Sequence, residues 1–523
     1  MTRDKYKALE AIVGSENISE EPALLDGYTF QILAEMMRAS GGTRFMPHRP
    51  EAVVLPGSTE EVQAIVKACN RLGIKFKAIS TGWGPYNAPS CEGVVLLDMV
   101  RMNRILDIDE KNMYAVVEPY VSWAQLQAEL WKRGLNCMVI GAGCQTSALA
   151  SITSFLGLGT GNFSMGYNAR NSLGVEWVLP TGDILRLGSL GSTGEWFSGD
   201  GPGPSLRGLM RGERGAVGGL GIFTKCAIKA YNWPGPTVMP IEGIGPEYRL
   251  SGGLPDNVRT YLLTFDTKER RDDAIYRLGE AEVGYYQLNM GWGTMRMTMR
   301  ALDKYLPTSE EEPNLVEDLP KGLILFSLVC NSPGEMEYQE KVLNAILTET
   351  GGKEYPLDED PYLKATVFRY LVRSDFMSTS FFRSAGGFWP ILWAIWGGRQ
   401  PMLVGEKQAI EAQQKWEERG KVSKGSADSV WQPIFDFSHS GYIENEMTYD
   451  SCDPEAIDTY RKCMRDQNEP LVELKIVRPE IGTAKGNIRA GSLLSNFHIW
   501  QREIKKAFDP NTASDPGYYM TPD

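Results

Sequence analysis

The side chains that usually carry acid–base or metal chemistry are scarce in this sequence of 523 residues. The histidines are His48, His439 and His498, so a site of several histidines around a metal ion is nearly excluded by number alone. The eight cysteines are scattered and form no CxxC pair, which is typical of reduced thiols and not of a disulfide framework, a zinc site or an iron–sulfur cluster. We therefore expect no bound metal.

Glycine takes the place of reactive side chains between Gly159 and Gly188, in GTGNFSMGYNARNSLGVEWVLPTGDILRLG. Four glycines precede a run of β-formers and a tight Pro-Thr-Gly-Asp turn, and almost none of the side chains could act as a nucleophile or a base. Glycine lets backbone N–H groups approach a ligand closely, and an anionic phosphate needs such donors. The stretch predicts a backbone that lies against a large cofactor.

The net charge of −12 argues against nucleic acid or an anionic membrane as the main partner. The first residues hold no apolar run typical of a signal peptide. The longest apolar stretch, residues 386–398, is too short to span a bilayer. These features predict a cytoplasmic protein with no transmembrane segment.

The elements that must position a cofactor follow from the pattern of apolar residues and turns. A helix is expected from Ser58, which with Glu61 fits a capping box, to Gly73. Strands are expected on both sides of it, and a hairpin closes at the Pro-Thr-Gly-Asp turn. The strands are predicted at residues 51–55, 75–79, 94–98, 114–118, 175–179, 184–187 and 222–230, and further helices at residues 123–133 and 495–508.

The cluster Asn232-Trp233-Pro234-Gly235-Pro236 is the first expected domain boundary. Beyond it, Trp389, Trp393 and Trp396 recur at helical spacing and predict one aromatic helix face. Either a packed core or the wall of an apolar pocket fits this face.

Several stretches together resemble the FAD-binding domain of the vanillyl-alcohol oxidase and p-cresol methylhydroxylase (PCMH-type) superfamily. They are PGSTEEVQAIVKACNRLGIKFKAISTGWG, GVVLLDMVRMNRILDIDEKNMYAVVEPYVSWAQLQAELWKRGL, NSLGVEWVLPTGDILRLG, GGLGIFTKCAIKAYNWPGP and the terminal IKKAFDPNTASDPG. The resemblance implies an α+β fold with a two-part FAD-binding domain, residues 1–235 and 475–523. It also implies an antiparallel-sheet cap domain for the substrate, residues 236–474.

In this superfamily the FAD pyrophosphate lies against two loops, and the resemblance carries that role to residues of this chain. For many of them turn formation, capping or strand-edge hydrogen bonding is an equally simple reading. The implied cofactor-binding residues are Ser80, Thr81, Gly82, Trp83, Gly84, Pro85, Gly143, Cys144, Ser147, Ser151, Thr153, Gly157, Gly159, Gly161, Gly221 and Ile222.

The resemblance also implies three catalytic candidates. Arg489 matches an arginine that binds phenolate substrates, although the tyrosine that precedes it in the family is absent; a surface arginine is the alternative. Tyr86 matches a loop tyrosine, or forms a pocket wall. His439, in Ser-His-Ser-Gly-Tyr, matches a histidine of the hydroxy-acid members and is the best candidate for a base or a substrate ligand, against a core histidine as the alternative.

The implied function is an FAD-dependent dehydrogenase or oxidase that takes a hydride from an alkylphenol, an aromatic alcohol or a related carbon. Two alternative functions stay open, a 2-hydroxy-acid dehydrogenase and a flavin-binding electron-transfer subunit of a larger complex. The electron acceptor is also open and could be a cytochrome, an iron–sulfur or other redox subunit, or oxygen. We expect a homo- or hetero-oligomer. The FAD is expected to be non-covalent, with Cys144 as the one candidate for a tether, because the histidine and tyrosine anchors of tethered relatives have no counterpart here.

Overall fold

The computed structural model describes residues 1–29, 48–82, 86–141, 143–155, 157–189, 194–196, 206–209, 217–244, 247–298, 320–373, 387–396, 399–420, 428–450, 453–473, 484–489 and 491–521. Trp83, Gly84 and Pro85 of the predicted first cofactor loop lie outside these residues.

The described helices are α1 (Arg3–Val13), α2 (Pro22–Gly27), α3 (Thr59–Leu72), α4 (Trp123–Trp131), α5 (Ala148–Thr153), α6 (Asn162–Met165), α7 (Lys268–Glu280), α8 (Trp292–Thr298), α9 (Pro333–Thr350), α10 (Pro361–Arg373), α11 (Arg399–Glu417), α12 (Pro454–Glu473), α13 (Ala484–Arg489) and α14 (Phe497–Phe508). None of them is both long and apolar enough to cross a membrane.

The described strands are β1 (Ile18–Ser19), β2 (Val53–Val54), β3 (Lys75–Ile79), β4 (Val94–Asp98), β5 (Ile105–Asp109), β6 (Tyr114–Val117), β7 (Leu135–Asn136), β8 (Ser172–Val178), β9 (Ile184–Leu187), β10 (Ile222–Lys229), β11 (Tyr231–Asn232), β12 (Ile241–Ile244), β13 (Glu247–Leu250), β14 (Val258–Phe265), β15 (Tyr286–Met290), β16 (Gly322–Val329), β17 (Lys353–Glu354), β18 (Gly387–Trp396), β19 (Val430–Phe435) and β20 (Ser440–Tyr449).

Two sheets form the first part of the fold. One has the order β1-β2-β4-β3, with β2 and β3 parallel to β4. The other is antiparallel, with the order β5-β6-β10-β8-β9. Helix α3 begins at the cap Ser58, whose hydroxyl accepts the Glu61 N–H, and ends at Gly73 in the left-handed region.

The predicted capping box of α3 is only half formed. The Glu61 carboxylate accepts the Gly57 N–H at 2.7 Å, one residue before the expected partner Ser58. At α4 the box is complete, because Ser122 and Gln125 each accept the other's backbone N–H.

A seven-stranded antiparallel sheet, in the order β17-β14-β16-β15-β19-β20-β18, forms the second part. Buried residues of α7, α9 and α11 cover one face of this sheet. Its other face shares a core with α10 and with the first part of the fold, including Ile140 and Leu158. The mixture of helices with largely antiparallel sheets confirms the expected α+β class.

The end of the described chain returns to the first part of the fold. The Phe76 N–H donates to the Ala513 carbonyl at 2.8 Å, and the Asp515 N–H donates to the Phe76 carbonyl at 3.0 Å. These bonds extend the sheet beside β3. The predicted domain boundaries themselves stay predictions.

The prediction of a helical aromatic face at Trp389, Trp393 and Trp396 is wrong. The segment is strand β18, which pairs with β20 along its length. Helical spacing of three aromatic residues is weak evidence in a stretch with Pro390 inside it, because proline interrupts helices and an aromatic, isoleucine-containing run favours a strand.

A buried ion-pair network joins α7 to α11. The Arg271 guanidinium donates to both oxygens of Glu406 at 3.0 and 2.6 Å, and Lys268 donates to the same carboxylate at 2.6 Å. Burial alone would raise the pKa of Glu406, but the charges of Arg271 and Lys268 hold it well below its ordinary value.

We expect Glu406→Gln to lower the free energy of unfolding of this part of the fold by about 3–5 kcal/mol, because it removes the anion that Arg271 and Lys268 share and leaves each of these buried cations with one carboxylate, Asp272 or Asp428. Since the folded pKa of Glu406 is depressed, the contribution of the pair is complete above its ordinary pKa of 4.5 and is lost as the pH falls further. Denaturant titration measures both effects. Glu349→Gln, whose partner Arg277 is exposed, is the control; equal losses in the two variants would contradict the prediction.

Candidate active site

An open cleft with a volume of about 110 Å³ lies between the two sheets of the first part of the fold. Residues from β3, the loop after it, α5 and the turn before β10 line it. The lining includes Lys77, Ser80, Gly82, Tyr86, Phe155, Gly218, Gly221 and Ile222. The structure therefore brings together predicted residues from three distant segments.

Gly82 lies in the first loop with φ +73°, a conformation that favours glycine. A Cβ at this position would meet nothing closer than the Ile79 side chain at 3.8 Å, so packing does not require glycine here. The Thr81 hydroxyl accepts the Ser147 N–H at 3.0 Å and ties the first loop to the second. Open space beside a glycine backbone is what the close approach of a ligand requires.

Gly221 is constrained differently. Its φ is +83°, and a Cβ would overlap the carbonyl of Val178. Its N–H donates to the Ser514 hydroxyl at 2.9 Å. Gly221 and Ile222 line the cleft, yet packing alone explains the glycine.

Lys77 is a buried cation of the cleft that the sequence analysis did not single out. Its side chain is 2% exposed, and its Nζ lies 3.5 Å from the ring centre of Tyr518. Burial lowers the pKa of Lys77 to about 8, while the charge of Asp515 acts in the opposite direction. Alternation in a strand points Lys77 to the same side as Lys75, and only tertiary packing shows which of the two is buried.

Tyr86 forms part of the cleft wall. It is 6% exposed and packs edge-on against Phe155 and Tyr518, with ring centres 5.7 and 5.5 Å apart. This position fits both predicted readings, a contact to a ligand and a pocket wall.

The predicted hydroxyls of the second loop already have partners within the protein. Ser147 caps α5 and donates to the Pro119 carbonyl at 2.6 Å. Ser151 donates to the Ser147 carbonyl, and Thr153 donates to the Leu149 carbonyl at 2.9 Å. The capping alternative accounts for these contacts, and a cofactor role for the three side chains stays a prediction.

The second-loop glycines are enclosed by protein atoms. Added Cβ atoms would meet the Asn168 side chain at Gly157, the Val139 carbonyl at Gly159 and Met138, Met165 and Tyr286 at Gly161. Close packing therefore requires glycine at Gly157 and Gly159, where the Cβ would overlap its neighbours, whereas at Gly161 the contacts would be ordinary ones at 3.4 Å. A contact of these glycines with a cofactor stays a prediction.

Gly143 and Cys144, which follow α4 in the chain, form a turn that lies beside the first residues of this helix. The Ala124 N–H donates to the Cys144 carbonyl at 2.7 Å, so this turn fixes the start of the helix. Cys144 is buried, and the described lining of the cleft does not include it.

The other two catalytic candidates are not brought to the cleft lining. His439 is exposed in the turn between β19 and β20, and Arg489 is exposed at the end of α13. In the same turn as His439, Asp436 pairs with Arg170 at 2.8 Å. The core-histidine alternative fails for His439 because the side chain is exposed. Roles for His439 and Arg489 in substrate binding stay predictions.

Residues 50–188 match the family model described as FAD binding domain. The chain is 34% identical over 196 residues to the 1'-carboxy-chondrochloren decarboxylase of Chondromyces crocatus, covering 35% of this chain and 34% of that protein. It is 30% identical over 245 residues to the 4-cresol dehydrogenase [hydroxylating] flavoprotein subunit of Pseudomonas putida, covering 45% of this chain and 43% of that one. The matched part thus spans less than half the length of either relative.

Two solved structures match almost the whole chain. A 4-ethylphenol oxidase from Gulosibacter chungangensis has a TM-score of 0.75 at 20% identity, covering 99% of this chain and 98% of that one. A p-cresol methylhydroxylase with substrate bound has a TM-score of 0.75 at 19% identity, covering 100% and 98%.

Residues 50–188 thus match an FAD-binding domain, and the whole chain shares the fold of the 4-ethylphenol oxidase and p-cresol methylhydroxylase structures. This confirms the resemblance stated from the sequence. A probable D-lactate dehydrogenase, mitochondrial, of Danio rerio is 28% identical over 323 residues, covering 61% of this chain and 56% of that protein.

The chemistry of the cleft lining fits FAD. Open space beside Gly82 admits close approach to the backbone, and Lys77 supplies a positive charge for a diphosphate. The apolar lining from Ile79, Met99 and Phe155 suits the rings of a dinucleotide. When bound, the flavin supplies the acceptor for a hydride. The residues that line the cleft would position the cofactor, and Lys77 would offset part of its negative charge.

We expect Lys77→Met to weaken FAD binding roughly ten- to hundred-fold. This loss corresponds to about 1.5–3 kcal/mol, the contribution of a charge-assisted hydrogen bond. An anion favours the protonated lysine, so the FAD affinity of the unmodified chain should fall as the pH rises through about 8. Lys77→Met should lose this dependence.

Flavin fluorescence titration of the apoprotein between pH 6 and about 9.5 measures both effects, across the lowered pKa of Lys77. Lys75→Met, two residues away on the same strand and absent from the described cleft lining, is the matched control. If both variants bind FAD with the affinity of the unmodified chain, Lys77 does not contact the cofactor.

Proposed function

We propose that this chain is an FAD-dependent dehydrogenase or oxidase that removes a hydride from an alkylphenol, an aromatic alcohol or a related CH or CH–OH carbon. The observation that carries the proposal is the match of both parts of the fold, over 99–100% of the chain, to proteins described as a 4-ethylphenol oxidase and a p-cresol methylhydroxylase. The relative described as a 4-cresol dehydrogenase supports the same substrate class.

The arrangement of the two parts supports a substrate site between them. The cap sheet contacts the second loop of the cofactor-binding part, because Trp431 of β19 packs so closely on Gly141 that a Cβ there would overlap its ring. A substrate held at this boundary lies between the cofactor domain and a sheet that carries polar side chains. Such positioning is the main contribution of a protein to flavin-dependent oxidation.

Oxidation of a 2-hydroxy acid is the second candidate. The alignment with the probable D-lactate dehydrogenase covers 61% of this chain, more than that with either relative above. Against it, Pro479-Glu480-Ile481-Gly482 lacks the histidine that the hydroxy-acid members carry there. A redox partner is also part of the proposal, because the 4-cresol dehydrogenase relative is described as a flavoprotein subunit.

Anaerobic mixing of the purified holoprotein with single substrates tests this function. We expect alkylphenols or benzylic alcohols to bleach the flavin, and D-lactate or glycolate to do so at least about ten-fold more slowly. Stopped-flow absorbance measures these rates. Faster reduction by the hydroxy acids would favour the second candidate. Reduction by neither class, but only after a redox partner is added, would favour an electron-transfer subunit.

We expect the flavin to be FAD held without a covalent bond, because the described cleft lining contains no cysteine or histidine. Acid precipitation should leave a colourless pellet and a yellow supernatant, in which mass spectrometry finds FAD. Flavin that stays with the pellet, and is released in Cys144→Ala, would instead show a cysteine tether. Cys69→Ala, which removes another buried thiol, is the control.

A further inference from the structure

An exposed apolar patch lies at the junction of α13 and α14. Of the twelve large apolar side chains that are exposed among the described residues, five belong to this short stretch of the chain. They are 41% to 67% exposed and comprise Ile488, Leu493, Phe497, Ile499 and Trp500. Apolar side chains that are exposed singly need no explanation, whereas a cluster of this kind marks an interaction site.

The backbone between the two helices brings these side chains together. The Gly491 N–H donates to the Ile488 carbonyl at 3.1 Å. The N–H groups of Leu494 and Asn496 donate to the Gly491 carbonyl at 3.2 and 2.6 Å. A Cβ at Gly491 would overlap the imidazole of His498, so the turns close against the start of α14. The patch is therefore a compact feature of the fold.

The patch continues the apolar face of α14 beyond the edge of the protein core. At helical spacing, one face of this helix carries Phe497, Trp500, Ile504 and Phe508. Ile504 and Phe508 pack against the core, and Phe508 stacks on Trp177 with ring centres 5.7 Å apart. Nearer the start of the helix, Phe497 and Trp500 are 54% and 67% exposed. The second half of α14 is thus anchored in the fold, and its first half presents the same face to solvent.

Basic residues surround the patch. Between residues 484 and 508 the chain contains five basic residues and one acid, Glu503, whereas the whole chain has a net charge of −12. One of the five, Lys505, is buried and paired with Asp509. The others are the exposed Lys485, Arg489 and Lys506 and the half-buried Arg502. The patch is therefore complementary to a surface that is both anionic and apolar.

We propose that the apolar patch of α13 and α14 docks this protein on the surface of an anionic lipid bilayer. A basic helix with exposed Trp, Phe and Ile side chains is typical of helices that lie in the plane of a membrane interface. Tryptophan suits that depth because its ring is apolar and its N–H is polar. Membrane docking concerns where the protein is held and does not depend on the proposed substrate.

Two other occupants fit the patch less well. A second copy of the chain, related by a two-fold axis through the patch, would bring the same cations together. A protein partner would need a surface shaped to side chains that project from the molecule, whereas the lipids of a bilayer adapt to them. The net charge of −12 does not prevent docking, because at physiological ionic strength charges more than about 8 Å away are largely screened.

Flotation of the holoprotein with lipid vesicles tests the proposal. We expect the protein to float with vesicles of phosphatidylcholine and phosphatidylglycerol. The double variant Phe497→Ser, Trp500→Ser should partition into them at least about ten-fold less, because it loses the apolar area that enters the interface. Tyr338→Ser, which removes an aromatic side chain of α9 that is 60% exposed, should partition like the unmodified chain.

The charge of the patch is tested separately. We expect the double variant Lys485→Gln, Lys506→Gln to bind the anionic vesicles roughly twenty-fold more weakly, because each basic residue beside an anionic bilayer contributes a factor of about five. On vesicles of phosphatidylcholine alone, this variant and the unmodified chain should bind equally. Lys341→Gln, which removes an exposed basic residue of α9, is the control. Normal FAD content in each variant shows that the fold is retained.

Vesicle binding needs no substrate, so membrane docking and the proposed function fail separately. Docking is overturned if the unmodified chain does not float with the anionic vesicles, or if both patch variants float as it does. Mass photometry tests the second copy as the occupant. A dimer that Phe497→Ser, Trp500→Ser converts to a monomer would make the patch an interface between copies and would equally overturn docking on lipid.

Discussion

The geometry of the cofactor cleft depends on one buried ammonium group. Lys505 of α14 is fully buried and donates to the Gly219 carbonyl at 2.7 Å, to Asp509 at 2.6 Å and to the Ser514 carbonyl at 3.2 Å. Asp509 in turn accepts the N–H groups of Ala513 and Ser514. Burying a lysine costs several kcal/mol, which only such complete hydrogen bonding offsets. Around it, the turn that carries Gly218 and Gly221 is fixed against the end of the chain.

A second constraint holds the cap against the cofactor-binding part. Asn136 donates to the Tyr286 hydroxyl at 2.6 Å, and Trp233 packs edge-on against Tyr285 with ring centres 5.5 Å apart. The shared core includes residues from both parts, so the sheet that carries Glu446 cannot be displaced without exposing apolar surface. The polar face of the sheet is thus positioned by apolar packing around it.

Much of the fold was predictable from local pattern. Strands Lys75–Ile79 and Val94–Asp98 have the expected bounds, and the Pro-Thr-Gly-Asp turn closes the expected hairpin. Capping residues and apolar alternation act over a few residues, so the sequence displays them directly. The predicted cofactor residues of the first loop and of the turn before β10 were accessible only through the resemblance.

The side chains that matter electrostatically were not predictable in this way. A lysine in the string KFKAI and a glutamate in the string YIENEM look like exposed strand residues. The lysine, Lys77, is buried against Tyr518, which lies far away along the chain, and the glutamate, Glu446, is buried as well. For the same reason the exposure of His439 could not be anticipated, since the SHSGY string does not show that it forms a hairpin turn.

The late position of the segment around Ser514 has a consequence for biosynthesis. Gly221 and Ser514 are 293 residues apart, which a ribosome takes about 15–60 s to cover. Until then the nascent chain presents β3 and the turn before β10 without the backbone that pairs with them. Assembly of the cleft therefore waits until the segment around Ser514 has been synthesised, and until then the growing polypeptide exposes an unpaired strand edge that chaperones are suited to shield.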